Sequence, residues 1–177
     1  KAGGNNGLNQ TDLTSDDMYY TKDDMRDFIQ NYRKLGIDII PEFDTPAHSL
    51  SFTKVRPDLR LGTSGRENDH LNLTTTDAYN ASLEFVKSLW DEYLDGDDPV
   101  FDQDTIINVG TDEYGAYNEQ FRQYTDDLIT YIQGKGRTVR LWGSLTTKSG
   151  NTEVTSEGVQ MNIWNDGWAN PQQMYEE

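Results

Sequence analysis

The chain has no cysteine among its 177 residues. Disulfides, thiolate zinc sites and cysteine nucleophiles are thereby excluded, although the absence says little about compartment. Histidine is scarce: only His48 and His70 are present. Basic residues are few, with 15 Lys and Arg against 31 Asp and Glu and a formal net charge of −16. Nucleic acid and anionic membrane surfaces both require basic patches, so neither is an expected partner. No apolar run is long enough to cross a bilayer. The chain starts at Lys1 without an initiator Met or a targeting segment, and it is read as a soluble piece of a longer protein. Its acidity suits a neutral substrate such as a sugar, and solvation of the surface is the simpler reason for it. Asn72-Leu-Thr and Asn80-Ala-Ser match the glycosylation sequon, a triplet common by chance.

What is present is a length suited to one domain with a real core and an alternation of helix and strand patterns. Residues 1–20 read as an irregular loop. A helix follows, capped by Thr21 and ended by Gly36, with Met25, Phe28, Ile29, Tyr32 and Leu35 on one apolar face. Ile37 to Asp44 reads as a strand, and about thirty polar residues follow as a loop. A second helix spans Thr76 to Leu94, with Tyr79, Leu83, Val86, Leu89, Trp90 and Tyr93 inward. The acidic turn Asp95 to Pro99 does not have the spacing of a calcium loop and reads as a solvated turn. Strand Thr105 to Val109, helix Asn118 to Gln133, strand Thr138 to Trp142, strand Val159 to Trp164 and a helix begun by Asn170-Pro171 complete the order. Such alternation predicts parallel strands with helices packed on them.

Function in parallel α/β folds gathers at the C-terminal strand ends. The first strand ends in Asp44-Thr-Pro-Ala-His48, the second leads to Asp112-Glu113, and the third ends at Trp142. The fourth ends at Trp164, with Asn165, Asp166 and Trp168 behind it. Each residue has a plain alternative. Asp44 can cap a turn, His48 can sit at the surface, the tryptophans can be core, and the acid pair can be solvated. Four successive strand ends carrying acids, a histidine and tryptophans fit a glycoside-cleaving site better. Aromatic faces pack on sugar rings, and carboxylates carry the proton and charge work.

Ile40-Pro-Glu-Phe-Asp-Thr-Pro-Ala-His-Ser49 and Asn108-Val-Gly-Thr-Asp-Glu113 resemble the strand-three and strand-four motifs of family 20 glycoside hydrolases, the β-N-acetylhexosaminidases and their lacto-N-biosidase relatives. Tyr19-Tyr-Thr, Leu141-Trp142 and Ile163-Trp164 fall in matching order. Ala47 stands where many members have Gly, and Asn108 where many have His. The resemblance implies a retaining, substrate-assisted mechanism without cofactor or metal. Glu113 would be the general acid and base, and Asp112 would orient the substrate's acetamido group. Trp142 and Trp164 would wall the acetamide pocket, with His48 and Asp44 supporting the acids from behind. The implied partner is a glycan with a terminal N-acetylhexosamine, and the implied location is secreted or cell-surface, of bacterial type.

A complete barrel of this kind needs about 250 residues. The chain therefore reads as a partial (β/α)8 TIM barrel, roughly strands 3 to 6 with their helices, with residues 1–177 forming a fragment of a single catalytic domain. Open sheet edges would pair with the remainder of the barrel or with another copy. Three further readings stay open: release of a disaccharide as in lacto-N-biosidases, a non-catalytic sugar-binding module, and a metal-dependent hydrolase using His48 and nearby acids.

Overall fold

The computed structural model describes residues 19–62, 68–115, 117–143, 145, 148–167 and 169–176. The expected N-terminal loop up to residue 18, Thr63 to Gly65 and Trp168 lie outside them. The elements are α1 (Lys22–Arg33), β1 (Glu42–Thr45), α2 (Leu50–Val55), α3 (Thr76–Leu94), β2 (Ile107–Gly110), α4 (Asn118–Gly134), β3 (Val139–Trp142), β4 (Val159–Asn162) and α5 (Pro171–Glu176). The four strands form one parallel sheet in chain order. Neighbouring parallel strands linked by helices are the repeating wall of a (β/α)8 barrel. Four of them make a partial barrel, as the sequence predicts.

Period-2 alternation gives the sheet two distinct faces. Phe43, Val109 and Leu141 point toward the helices: the Phe43 ring lies 4.1 Å from that of Trp90 on α3, and Val109 and Leu141 are buried. The predicted faces of α3 and α4 are the core, with Val86, Trp90, Phe121, Tyr124, Leu128 and Ile132 fully enclosed. Tyr124 also donates a hydrogen bond to the Thr45 hydroxyl at 2.9 Å, which fixes α4 to the end of β1. The opposite face carries Glu42, Asp44, Asn108, Arg140, Trp142, Gln160 and Asn162. Glu42, Asn108, Arg140 and Gln160 are successive register partners, one row across all four strands.

Charged groups brace the rim away from the acid pair. The buried Arg137 guanidinium donates to the carbonyls of Leu94, Phe101 and Lys135. Arg33 forms a two-pronged pair with Asp102 at 2.8 and 2.9 Å and holds that carboxyl down at about 2. In the acidic turn, Asp95 accepts from Lys135 at 2.7 Å and Asp98 pairs with Arg26 at 3.4 Å.

Several expectations are corrected. The strand expected from Ile37 begins only at Glu42, because Pro41 has no N–H to give. Its carbonyl instead accepts the Asn108 N–H at 3.0 Å. The strand expected to reach Trp164 stops at Asn162. The long polar loop contains α2, a 3-10 turn at Pro57–Leu59 and an antiparallel bridge between Arg60 and Leu71, and it buries Leu59, Leu71 and Leu73. On α1, Thr21 caps the helix as expected, and Asp24 completes a capping box with it, but only Ile29 of the apolar face is buried. Tyr32 is 38% and Leu35 73% exposed. The chain continues from α1 into β1, an edge strand, so the helix lies where the sheet has run out. Phe28 packs between the rings of Tyr20 and Tyr32, at 5.9 and 4.5 Å.

Candidate active site

The site is built where β1 and β2 end. Gly110 closes β2 with φ +76°, and a Cβ there would lie 2.3 Å from the Asp44 Oδ1 and 2.4 Å from the Asp44 Cα. Only glycine lets the two strands approach so closely. Thr111 follows with φ +63°, its N–H donating to the Thr45 carbonyl at 3.0 Å. Glu113 (φ +49°), His48 (φ +53°) and Tyr117 (φ +52°) are also left-handed. These four residues lie on just two loops, those that follow β1 and β2. Each such conformation costs about 1–3 kcal/mol and persists where the surroundings impose it. This backbone, rather than simple strand alternation, turns Asp112 and Glu113 into one cleft.

Side chains converge there. The His48 Nε2 lies 3.3 Å from the Glu113 Oε2. The Trp164 Nε1–H donates to the Asp112 Oδ1 at 3.3 Å. Trp164 is 48% exposed, so its ring forms an open flank to the cleft rather than a core contact. Trp142 ends β3 at the same rim, half-buried, with Asn162 as its register partner. Asp44 sits beneath the pair, and its Oδ1 is buried without a hydrogen-bond partner.

Burial pushes the Asp44 carboxyl up to about 7; Glu42 and Asp112 push the same way, while His48 and the Asp112 backbone N–H oppose. Asp112 is also raised, chiefly by burial and further by Glu113, with the Trp164 N–H and His48 opposing. The cleft thus holds acidic groups whose protonation is tuned by one another and by a single histidine, a common property of functional sites.

A supporting layer was not legible as such in the sequence. Tyr114, immediately after the acid pair, is fully buried; its hydroxyl donates to the Leu71 carbonyl at 3.0 Å and its ring stacks 5.8 Å from Phe121. The His70 ring also stacks against that of Tyr114, at 5.1 Å, and is held by the Asp69 carboxylate at 2.6 Å. The same segment grips the β1 loop, because the Ser49 N–H donates to the Asp69 carbonyl and the Leu71 N–H to the Pro46 carbonyl, both at 2.7 Å. The Leu71–Leu73 alternation was the signal that this stretch is not a free loop.

Oxygen and nitrogen atoms of His48, Asp112 and Glu113 all lie within 4.8 Å of one another, so these three could also hold a cation. His70 does not join them, being committed to Asp69 and Tyr114.

The chain is 26% identical to a lacto-N-biosidase of Bifidobacterium bifidum over 184 residues, which cover 90% of this chain and 16% of that protein. It is 35% identical to the human beta-hexosaminidase subunit beta over 94 residues, covering 53% of this chain and 16% of the subunit. Among solved structures it resembles a catalytic module of the pneumococcal exo-beta-D-N-acetylglucosaminidase StrH (TM-score 0.71, 20% identity, 90% of this chain and 43% of that one). It also resembles a beta-N-acetylhexosaminidase from Bacteroides fragilis (TM-score 0.68, 17% identity, 94% of this chain and 36% of that one). The chain therefore spans less than half the length of these relatives. The model of the glycosyl hydrolase family 20 catalytic domain matches residues 2–176, nearly the whole chain, and the chain belongs to that family.

Proposed function

We propose that this chain supplies the acid-bearing part of a retaining β-N-acetylhexosaminidase pocket, and that it is a contiguous part of one catalytic barrel domain. The observation that carries the proposal is the cluster of Glu113 against His48 and Asp112 against Trp164 at two adjacent strand ends. The family membership and the lacto-N-biosidase and hexosaminidase relatives support it.

The adjacent acids take different tasks. Glu113 protonates the departing glycosidic oxygen as the bond from that oxygen to the anomeric carbon breaks. The carbonyl oxygen of the substrate's own 2-acetamido group attacks the same carbon and closes a cationic oxazolinium ring. Asp112 accepts the acetamido N–H, aims the carbonyl and balances the positive charge. Water then attacks the anomeric carbon and gives its proton to the Glu113 carboxylate, which reopens the acetamide and restores the acid. His48, 3.3 Å from Glu113, is placed to steady that proton cycle. Trp164 orients Asp112 and, with Trp142, offers an aromatic wall to the acetamide.

The substrate class is a glycan ending in a β-linked N-acetylhexosamine, released as the single sugar. Release of a disaccharide is the alternative favoured by the identity to a lacto-N-biosidase. Such glycans lie outside cells, which supports a secreted or cell-surface protein of bacterial type. The four strands present an incomplete pocket wall, so the 177-residue chain alone is expected to be inactive on an aryl N-acetylglucosaminide and to self-associate through its sheet edges. A longer protein with the barrel closed is expected to be active. Turnover by a monomeric 177-residue chain would overturn the fragment reading. A non-catalytic sugar-binding module would bind N-acetylglucosamine in both lengths and turn over neither. Loss of activity on chelation would favour the metal reading of His48, Asp112 and Glu113.

A further inference from the structure

We infer that Asn108, paired with Glu42, is a positioning residue for the acid pair: its side-chain amide diverts the Gly110 N–H at the end of strand β2 and so sets the direction in which Asp112 and Glu113 leave the sheet. The inference rests on the proposed catalytic roles of those two acids. It goes beyond them by assigning a task to a residue four positions before Asp112.

Asn108 is 3% exposed, and both ends of its side-chain amide are hydrogen-bonded. Its Oδ1 accepts the Gly110 N–H at 2.9 Å. This is the local turn that Asn favours, an amide oxygen capturing the N–H two residues on. A strand would have spent that N–H on a neighbouring carbonyl. The capture takes the Gly110 N–H out of the ladder where φ turns positive at Gly110 and Thr111, and pairing with β1 resumes one residue on, through the Thr111 N–H and the Thr45 carbonyl. The other end of the amide is equally committed, since Nδ2 donates to the Glu42 Oε2 at 2.5 Å. A carboxylate pulling on the NH2 strengthens the oxygen as an acceptor, because linked hydrogen bonds polarise one another. The Asn108 backbone N–H donates to the Pro41 carbonyl at 3.0 Å, so the residue also anchors β2 to the start of β1.

The polarity of this arrangement is specific. A leucine at 108 keeps the branched shape, with somewhat larger volume, and loses both bonds. An aspartate keeps the acceptor for Gly110 but sets a second carboxylate against Glu42. Exchanging the two, Glu42→Gln with Asn108→Asp, restores one donor and one acceptor in reversed order with the same net charge. A purely space-filling role predicts the opposite ranking, with Asn108→Leu tolerated and the exchange no better than Asn108→Asp.

The test uses the longer, active protein and two independent readouts. For activity, Asn108→Leu and Asn108→Asp are expected to lower kcat on an aryl N-acetylglucosaminide by about 10²-fold, the scale of a misplaced catalytic group. The exchanged double variant should recover at least about tenfold of that loss, a factor worth about 1.4 kcal/mol. For geometry, hydrogen–deuterium exchange of the 107–114 peptide should quicken in both single variants and slow again in the exchanged one, while exchange in α3 and α4 is unchanged. That second readout does not depend on turnover. If the parent protein proves inactive, the hexosaminidase reading fails while the exchange data still decide the role of Asn108. Unaltered exchange in the 107–114 peptide of Asn108→Leu overturns the inference. So does an exchanged variant no better than Asn108→Asp in both readouts.

Discussion

The two faces of the sheet come from alternating residues of the same four strands, yet they obey different rules. The helix-facing side, with Phe43, Ile107, Val109, Val139 and Leu141, is filled by the aromatic and aliphatic faces of α3 and α4. The opposite side is polar from one edge strand to the other. Arg140 donates to the Gln160 Oε1 at 2.6 and 3.1 Å, and Asn108 donates to Glu42. One face is fixed by volume, the other by donor and acceptor identity. Stability belongs mainly to the first and chemistry to the second.

The largest expected effect falls on the polar side. Glu113→Gln should reduce kcat by roughly 10²- to 10⁴-fold with sugar affinity retained, because it removes the proton and leaves the shape. Steady-state kinetics together with calorimetric binding of N-acetylglucosamine check this; an unchanged kcat would move the chemistry away from the dyad. Next comes the helix side, where Trp90→Ala should cost about 3–5 kcal/mol in chemical denaturation, since a fully enclosed indole leaves a cavity. Its kcat in the surviving folded protein should change little. A large kcat loss without destabilisation would break the division between the faces.

Asp44 sharpens the comparison, being a polar-face residue whose cost appears in stability. Its folded carboxyl titrates near 7, well above the ordinary 3.8. The folded state then holds a proton that the unfolded chain has released, so stability falls as pH rises from about 4 to 7 and stays low above that. Asp44→Asn should therefore stabilise the protein at pH 8, by up to about 4 kcal/mol, and bring no gain below pH 4. Melting temperatures across that range test the sign. The smallest effect is expected for Arg140→Ala in the 177-residue chain, about 0.5 kcal/mol, because its bond to Gln160 is exposed to water there. A markedly larger loss would show that self-association has covered this face.

The long helices were legible because Tyr79, Leu83, Val86 and Trp90, and likewise Phe121, Tyr124, Leu128 and Ile132, repeat at helical spacing. The acid pair was legible because a glycine and two carboxylates follow an apolar strand. The structure brings Asp44, His48, Asp112, Glu113 and Trp164 together as the strand ends suggested. Other features had no local signal. The left-handed turns at Thr111 and Glu113 are imposed by surrounding contacts, since neither side chain is among those enriched at such angles; His48 is of a type that adopts them more readily, but nothing next to it in sequence marked the turn. Helix α2 is six residues long, too short for periodicity to show. His70 looked like one more polar loop residue, yet it is buried through a partner next to it in sequence and a ring 44 positions away. Trp164 read as the last residue of a strand, whereas β4 ends before it, at Asn162.

Gly110 has a consequence for how such a site can change over generations. Its α-hydrogen is the whole spacer between β2 and Asp44, since even a methyl group would fall within 2.9 Å of three Asp44 atoms. The gap between the buried acid and the acid pair is therefore set by backbone against backbone, and no side-chain exchange at position 110 can widen it by degrees. Variation in what is recognised has to enter elsewhere, for example through the segment that Glu119 and Arg122 tether at Lys148, Asn151 and Thr152. The floor of the cleft is closed to gradual adjustment, and its rim is open to it.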